Sequence, residues 1–398
     1  MRDKRKMNIL MIHPSFPGQF EYLAPFLTRT SEVRVAFLCR SINSPVPKGI
    51  IIKTYRTDTE KTTPINANLR EAEAVIAAMK ELEETFRPDV VLGHSGWGSL
   101  MYVKAFFPYV RLIGYFEWYF GMLPEFEGVW YTGMTPEGMG VFFTQQNAAL
   151  LAQLEACDAW ITPTEWQRSR FPSRYRPDMH VIHEGIDTEF YQPLHGQTLE
   201  KLIPGLTGGE EIVTCVSRGL EPTRRFPVLM DALRLLLARR PHCHAVISGG
   251  EKTFYGPKPK DGKTWKQMEI EKGGYDPARV HFTGWLSRED YRMLLRTSTV
   301  HVYLTVPYVL SWSALQAMSA GCCLVASNVP PVKEVIQDGI NGLLTDASPE
   351  RIADRIEEAL SDIALRDRLC RSARETILDR YSLETCLQKQ LELLCRIE

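Results

Sequence analysis

Residues 297–332 contain no Asp, Glu, Lys or Arg, in a chain whose charged share is 24%, and His301 is the only possible cation among them. A membrane span needs about 20 predominantly apolar residues. Pro307, Ser311, Ser313, Gln316, Ser319, Gly321, Asn328 and the Pro330–Pro331 pair interrupt this window, which excludes a span and leaves burial inside protein. Other absences narrow the chemistry. The nine cysteines are scattered and odd in number, and no Cys-x-x-Cys occurs, so reduced, buried thiols are expected rather than disulfides or zinc. His242-x-His244 has no carboxylate or thiolate ligand pattern beside it, and no metal site is expected. There is no G-x-G-x-x-G, no P-loop and no Asp-x-Asp, which removes the usual support for a dinucleotide or P-loop enzyme. A net charge of −1 gives no electrostatic case for nucleic acid. The opening "MRDKRKMNILMIHPSF" has an apolar run too short for a signal-peptide core, so a cytoplasmic protein is expected.

The 398 residues suit two α/β domains. "NILMIH" is a continuous apolar run, as in a strand buried on both faces, and strands at 33–39, 51–56, 89–94 and 111–120 alternate with helical patterns at 68–86 and 136–156. After "QPLHGQTLEKLIPGLTGGEE", rich in Gly, Pro and polar residues, the alternation restarts with "EIVTCVSRG", "FPVLMDALRLLLARR" and "CHAVISGG". The expected division is 1–191 as the first domain, 192–209 as linker, 210–380 as the second domain and 381–398 as a final helix returning to the first. In such folds ligands bind outside the carboxyl ends of the strands. The cleft between two such domains is the expected site.

Residues just after strands are therefore the candidates. Gly18 precedes a helix in "HPSFPGQF", where a phosphate could approach, although a Pro-Gly turn explains it as well. His94 ends a buried strand between Gly93 and Gly96 and could polarise a hydroxyl. Glu117 falls inside the apolar strand 111–120, where a carboxylate needs a partner or a ligand. Arg218 and Arg224 in "SRGLEPTRR" could hold a diphosphate, and Ser311 and Ser313 could assist without formal charge.

Together "SRGLEPTRRF", "ISGGEKTFYG", "VHFTGW" and "YVLSWSALQAMSAGCCLVASNVPPVKEVIQDGINGLLTD" resemble the family-4 retaining glycosyltransferases, over nearly the whole chain. The subgroup with the "HPSFPGQFEYLAPFL" opening is the most similar. The resemblance implies the GT-B fold, α/β with two facing Rossmann-like domains. It implies a nucleotide-diphosphate sugar donor held mostly by the second domain and a glycan, lipid-linked or small-molecule acceptor held mostly by the first. By that carry-over Arg218 and Arg224 bind the diphosphate, Arg224 standing where many members have Lys. Gly250 and the amides from Leu310 through Ser311 and Trp312 to Ser313 lie on the donor side. Gly18 lies against the pyrophosphate, His94 contacts the transferred sugar, Gly284 and Trp285 flank the nucleobase, and Glu117 is the acceptor-side candidate.

The wider family carries Glu-x7-Glu where this chain has Tyr308 and Gln316. A Gln carbonyl still accepts from a hydroxyl, but a neutral bond is roughly half as strong as a charge-assisted one. No nucleophile for double displacement is evident, so the resemblance implies front-face transfer without metal or organic cofactor. A non-catalytic sugar-nucleotide-binding homologue and a GT-B epimerase remain alternatives. The aromatic-rich 115–131 segment suits a lipid-linked acceptor and peripheral attachment at the inner face of a membrane, though core packing explains it equally.

Overall fold

The computed structural model describes residues 6–58, 62–126, 135–194, 196–259 and 262–396. It forms two compact units. Met1–Gly121, Thr135–Gly185 and Leu383–Glu398 make the first, and Met122–Met134 with Ile186–Ser382 the second.

The main sheet of the first unit is built from β1 (Met7–Ile12), β2 (Val33–Cys39), β3 (Ile50–Thr54), β4 (Val90–His94), β5 (Arg111–Tyr115), β6 (Ala159–Thr162) and β7 (His180–Val181). They form one parallel sheet in the order β3-β2-β1-β4-β5-β6-β7. Side chains alternate across a strand, and β1 shows the consequence. Leu10 and Ile12 pack on one face with Val75, Met79 and Leu82 of helix Pro64–Glu83. Ile9 and Met11 pack on the other with Leu387, Leu393 and Leu394 of helix Leu383–Cys395. Polar bonds fix that last helix to the first unit: Arg111 Nη1 donates to the Leu393 carbonyl at 2.7 Å, and Gln390 Nε2 to the His183 carbonyl at 3.1 Å. The final helix thus packs on the first unit.

The expected strand 111–120 is shorter. It stops at Tyr115, and Glu117 lies in the segment beyond it. The apolar run continues because Phe116 and Trp118 are buried, which periodicity cannot distinguish from a longer strand.

The second unit repeats the plan with β8 (Glu211–Gly219), β9 (Cys243–Gly250), β10 (Val280–Gly284), β11 (Val300–Tyr303), β12 (Leu324–Ser327) and β13 (Leu343–Thr345). Its parallel sheet runs β10-β9-β8-β11-β12-β13. Helix Phe226–Arg239 buries Leu229, Met230, Leu233, Leu236 and Leu237 at helical spacing, each contributing about 1.5–3 kcal/mol by leaving water. Helix Arg288–Thr297 is capped by Ser287, whose hydroxyl accepts from the Asp290 N–H at 3.1 Å. Within 192–209 the described residues form no helix or strand, yet Leu199, Ile203 and Leu206 are buried against Ile212, Val246 and Leu294. The charge-free window is a buried strand, loop, helix and strand: β11, residues 304–311, helix Trp312–Ser319 and β12.

Both sheets start in the middle. The chain lays two strands on one side of β1, then crosses to put β4 on the other, and does the same around β8 with β11. This creates a topological switch point in each unit, β1/β4 and β8/β11, where ligands bind α/β sheets.

Candidate active site

At the β8/β11 switch point the second unit gathers positive charge. Arg218, in the last turn of β8, is exposed, with its guanidinium 4.2 Å from the centre of the Phe254 ring, a cation–π distance. Arg224 donates from Nη1 to Thr305 Oγ1 at 3.3 Å, so one residue after β8 is tied to one after β11. Arg225 has φ of 51°, the one positive φ among the described non-glycine residues, and forms the turn into helix Phe226–Arg239.

Sequence reasoning passed over the residue that organises this corner. Glu221 is 1% exposed and accepts three hydrogen bonds: from Thr223 Oγ1 at 2.7 Å, the Phe254 N–H at 2.6 Å and the Tyr255 N–H at 3.1 Å. A buried carboxylate is tolerated only with such partners. It clips the arginine turn to the loop after β9 and so sets Phe254 under Arg218. The signal was present in "SRGLEPTRR", an acid among arginines directly after a strand.

The other predicted donor-side residues lie at the same ends of their strands. Gly250 ends β9, and a Cβ there would fall 2.7 Å from Trp285 Nε1. Trp285 follows Gly284 at the end of β10 and is 68% exposed, an open aromatic face. Ser311 opens helix Trp312–Ser319 without capping it. Its own N–H donates to the Tyr303 hydroxyl at 2.9 Å, so that amide is already engaged by the protein. Leu310 is buried. The Tyr308 ring lies 5.8 Å from that of Tyr255. Gln316 Oε1 accepts from the Tyr291 hydroxyl at 3.0 Å, and burial pushes the Tyr291 pKa well up, keeping the hydroxyl a donor.

The first unit gathers neutral rings at β1/β4. His94 ends β4, is 2% exposed, and accepts the Gly96 N–H on Nδ1 at 3.0 Å, which places its proton on Nε2. Burial, with His13 nearby, holds its pKa well below the usual histidine value. Glu117 Oε2 lies 3.8 Å from His94 Nε2, so the two candidates do meet. The Trp97 ring stands 4.9 Å from His94, and the Tyr115 ring 5.4 Å from it. Tyr115 donates to Glu184, which lies 3.4 Å from His183 Nε2. Gly18 has φ of +52°, and a Cβ there would come within 2.4 Å of the His13 ring, so only glycine fits.

His242 lies outside β9, and His244 instead stacks on His281, Nδ1 to Nε2 at 3.1 Å. Among the described residues no group of three or more His, Cys, Asp or Glu could hold a metal ion. A separate cavity of about 460 Å³ lies at the ends of β12 and β13, lined by Asn328, Lys333, Asp346 and Arg351 among others. It holds none of the candidate residues. No described helix is long and apolar enough to cross a membrane.

Two parallel sheets, with a cationic switch point in one unit and a histidine-lined one in the other, define a two-domain α/β protein. Residues 31–191 match the glycosyl transferase family 4 group and residues 199–376 the glycosyl transferases group 1. The chain belongs to this glycosyltransferase family, and its fold is GT-B. The GDP-mannose-dependent alpha-(1-6)-phosphatidylinositol monomannoside mannosyltransferase of Mycobacterium tuberculosis is 26% identical over 58% of this chain and 60% of its own length. The putative glycosyltransferase YtcC of Bacillus subtilis is 25% identical over 50% of this chain and 49% of its own. The chain spans about a quarter to about half the length of the first curated relatives it matches. The fold is similar to that of a sucrose-phosphate synthase from Thermosynechococcus elongatus, with TM-score 0.76 at 16% identity and 98% of both chains covered. It is also similar to that of Anabaena HepE solved with UDP, with TM-score 0.71 at 16% identity, covering 98% of this chain and 99% of that one.

Proposed function

We propose that the protein is a retaining glycosyltransferase, moving a hexosyl group from a nucleoside-diphosphate sugar to a hydroxyl of a glycan, lipid-linked or small-molecule acceptor. The observation that carries this is the pairing of Arg218 and Arg224 at the β8/β11 switch point, buttressed by Glu221. On this reading the guanidinium groups take the diphosphate, assisted by the Ser311 hydroxyl and the first turn of helix Trp312–Ser319. Trp285 flanks the base. As the anomeric C–O bond to the diphosphate breaks, the acceptor oxygen bonds to the same face of that carbon, and its proton passes to the departing phosphate oxygen. The arginines stabilise the leaving charge, so the reaction calls for no metal or organic cofactor. His94 presents Nε2–H to the sugar, Gly18 lies against the pyrophosphate, and Glu117 serves the acceptor side.

Relatives are named for GDP-mannose, and HepE was solved with UDP and with UDP-glucose. GDP-mannose and UDP-glucose are therefore the first donors to test. Purified protein should release nucleoside diphosphate from one of them, and Arg224→Ala should not. Release unchanged in Arg224→Ala would remove that residue from the mechanism. Binding without hydrolysis or transfer would favour a second reading, a non-catalytic sugar-nucleotide-binding protein. That reading draws on Gln316, whose carbonyl already serves Tyr291. Interconversion of free sugar nucleotides would indicate an epimerase.

A further inference from the structure

Three buried polar side-chain atoms without a hydrogen-bond partner cluster where β1 and β4 end: His13 Nε2, His94 Nε2 and Ser95 Oγ. Leaving a buried polar group unsatisfied costs about 1–3 kcal/mol. Three fall together at one switch point, where Glu117 Oε2 stands 3.8 Å from His94 Nε2 and the Gln19 side chain bears on His13. His13 is not explained by the reading above. It is 5% exposed, directly after β1, its ring edge-on to His94 at 5.4 Å and 5.1 Å from Trp97.

The chemistry of the two rings is complementary. His13 Nδ1 lies 2.7 Å from the Ser15 carbonyl oxygen and 3.0 Å from the Ser15 nitrogen, and a single ring nitrogen serves one of these at a time. Of the two tautomers, the shorter contact favours the one with the proton on Nδ1 and Nε2 as acceptor, while the Ser15 N–H contact favours the other. Burial drops the pKa of His13 to about 4, so the ring is uncharged at neutral pH. His94 has the opposite tautomer, with Nε2 as donor. One acceptor and one donor on adjoining rings match two hydroxyls of a pyranose. Trp97, 36% exposed, adds an apolar face for its C–H side.

We propose that His13 is a specificity-determining residue whose Nε2 accepts a hydrogen bond from a hydroxyl of the transferred hexose, next to the hydroxyl that His94 holds. This rests on the sugar-nucleotide reading of the site. The test is nitrogen-15 NMR of histidine-labelled full-length protein, with the His13 ring signal assigned from His13→Gln. UDP, GDP, UDP-glucose and GDP-mannose are titrated in, and binding is followed by calorimetry in parallel. In the free protein Nε2 of His13 should show the unprotonated, pyridine-type signal. The nucleotide sugar that binds should shift that signal, and its parent nucleotide should not. His13→Phe should weaken that nucleotide sugar about tenfold while leaving the parent nucleotide within twofold, and His13→Asn, which restores an acceptor, should recover part of the loss. A nucleotide sugar that binds without moving the His13 signal overturns the proposal alone, as does an equal shift with the nucleotide by itself. If none of the four ligands binds, the sugar-nucleotide reading of the site falls and this inference falls with it.

Discussion

The two switch points share a topology and differ in electrostatics. At β8/β11 the side chains are arginines held in place by a buried carboxylate, and the site is set for an anion. At β1/β4 the side chains are imidazoles kept neutral by burial, with an indole beside them, and the site is set for an uncharged, hydroxyl-rich group. One backbone plan thus provides two positions, and the residues after the first strand of each sheet set the charge at each. The carboxylate of Glu117 lies 3.8 Å from His94 Nε2 at the first, and a cation desolvated there would depend on it.

The largest effect should come from making the second junction as uncharged as the first. Arg224→Ala should lower kcat/KM about 100–1,000-fold, roughly 3–4 kcal/mol of transition-state stabilisation, while Arg224→Lys should retain much of it; steady-state kinetics on the active donor checks both. Next is a pH effect common to both units, because each has a histidine, His13 and His301, pushed down to about 4. Below pH 6.5 the unfolded chain takes up protons that the folded one refuses. Stability should therefore be full above pH 6.5, fall as pH drops towards 4, and flatten below, with each residue accounting for about 3 kcal/mol. Denaturant melts across that window check this, and His301→Asn, which keeps a partner for Thr214, should flatten the curve. Glu221→Ala should cost about 2–3 kcal/mol in unfolding free energy and weaken nucleotide binding by loosening Phe254 from Arg218, measured by melts and calorimetry. An equal change at the first junction would show that the clip is not specific to the charged site. The smallest effect is expected from Gln316→Glu. It should tighten donor binding by no more than about tenfold and change stability by under about 1 kcal/mol, because Tyr291 can donate to either side chain.

The two-domain fold was legible because the buried strands are continuous apolar runs and several helices carry their own cap, as Ser287 and Ser348 show. Most candidates were legible for one reason: they lie at or beyond the carboxyl ends of strands. What was not legible depends on distant pairs. Glu221 reaches residues 33 and 34 positions away. His13 matters through Gly18 and His94, which no period links to it. Gln316 is legible as an oddity, but its Tyr291 partner comes from another helix. The strand at 111–120 failed for a related reason: Phe116 and Trp118 are buried by tertiary packing after the ladder has ended.

The return of helix Leu383–Cys395 to the first sheet has a consequence for biosynthesis. The face formed by Ile9, Met11, Val35 and Phe37 is completed by Leu387, Leu393 and Leu394, so the first unit is finished only after the second has been made. A nascent chain must carry that apolar face only partly covered, by Leu23, Ala24 and Leu27, while the second domain is made. Loss of the final helix to a premature stop codon or a protease should therefore damage the amino-terminal domain and leave the sheet around β8 intact.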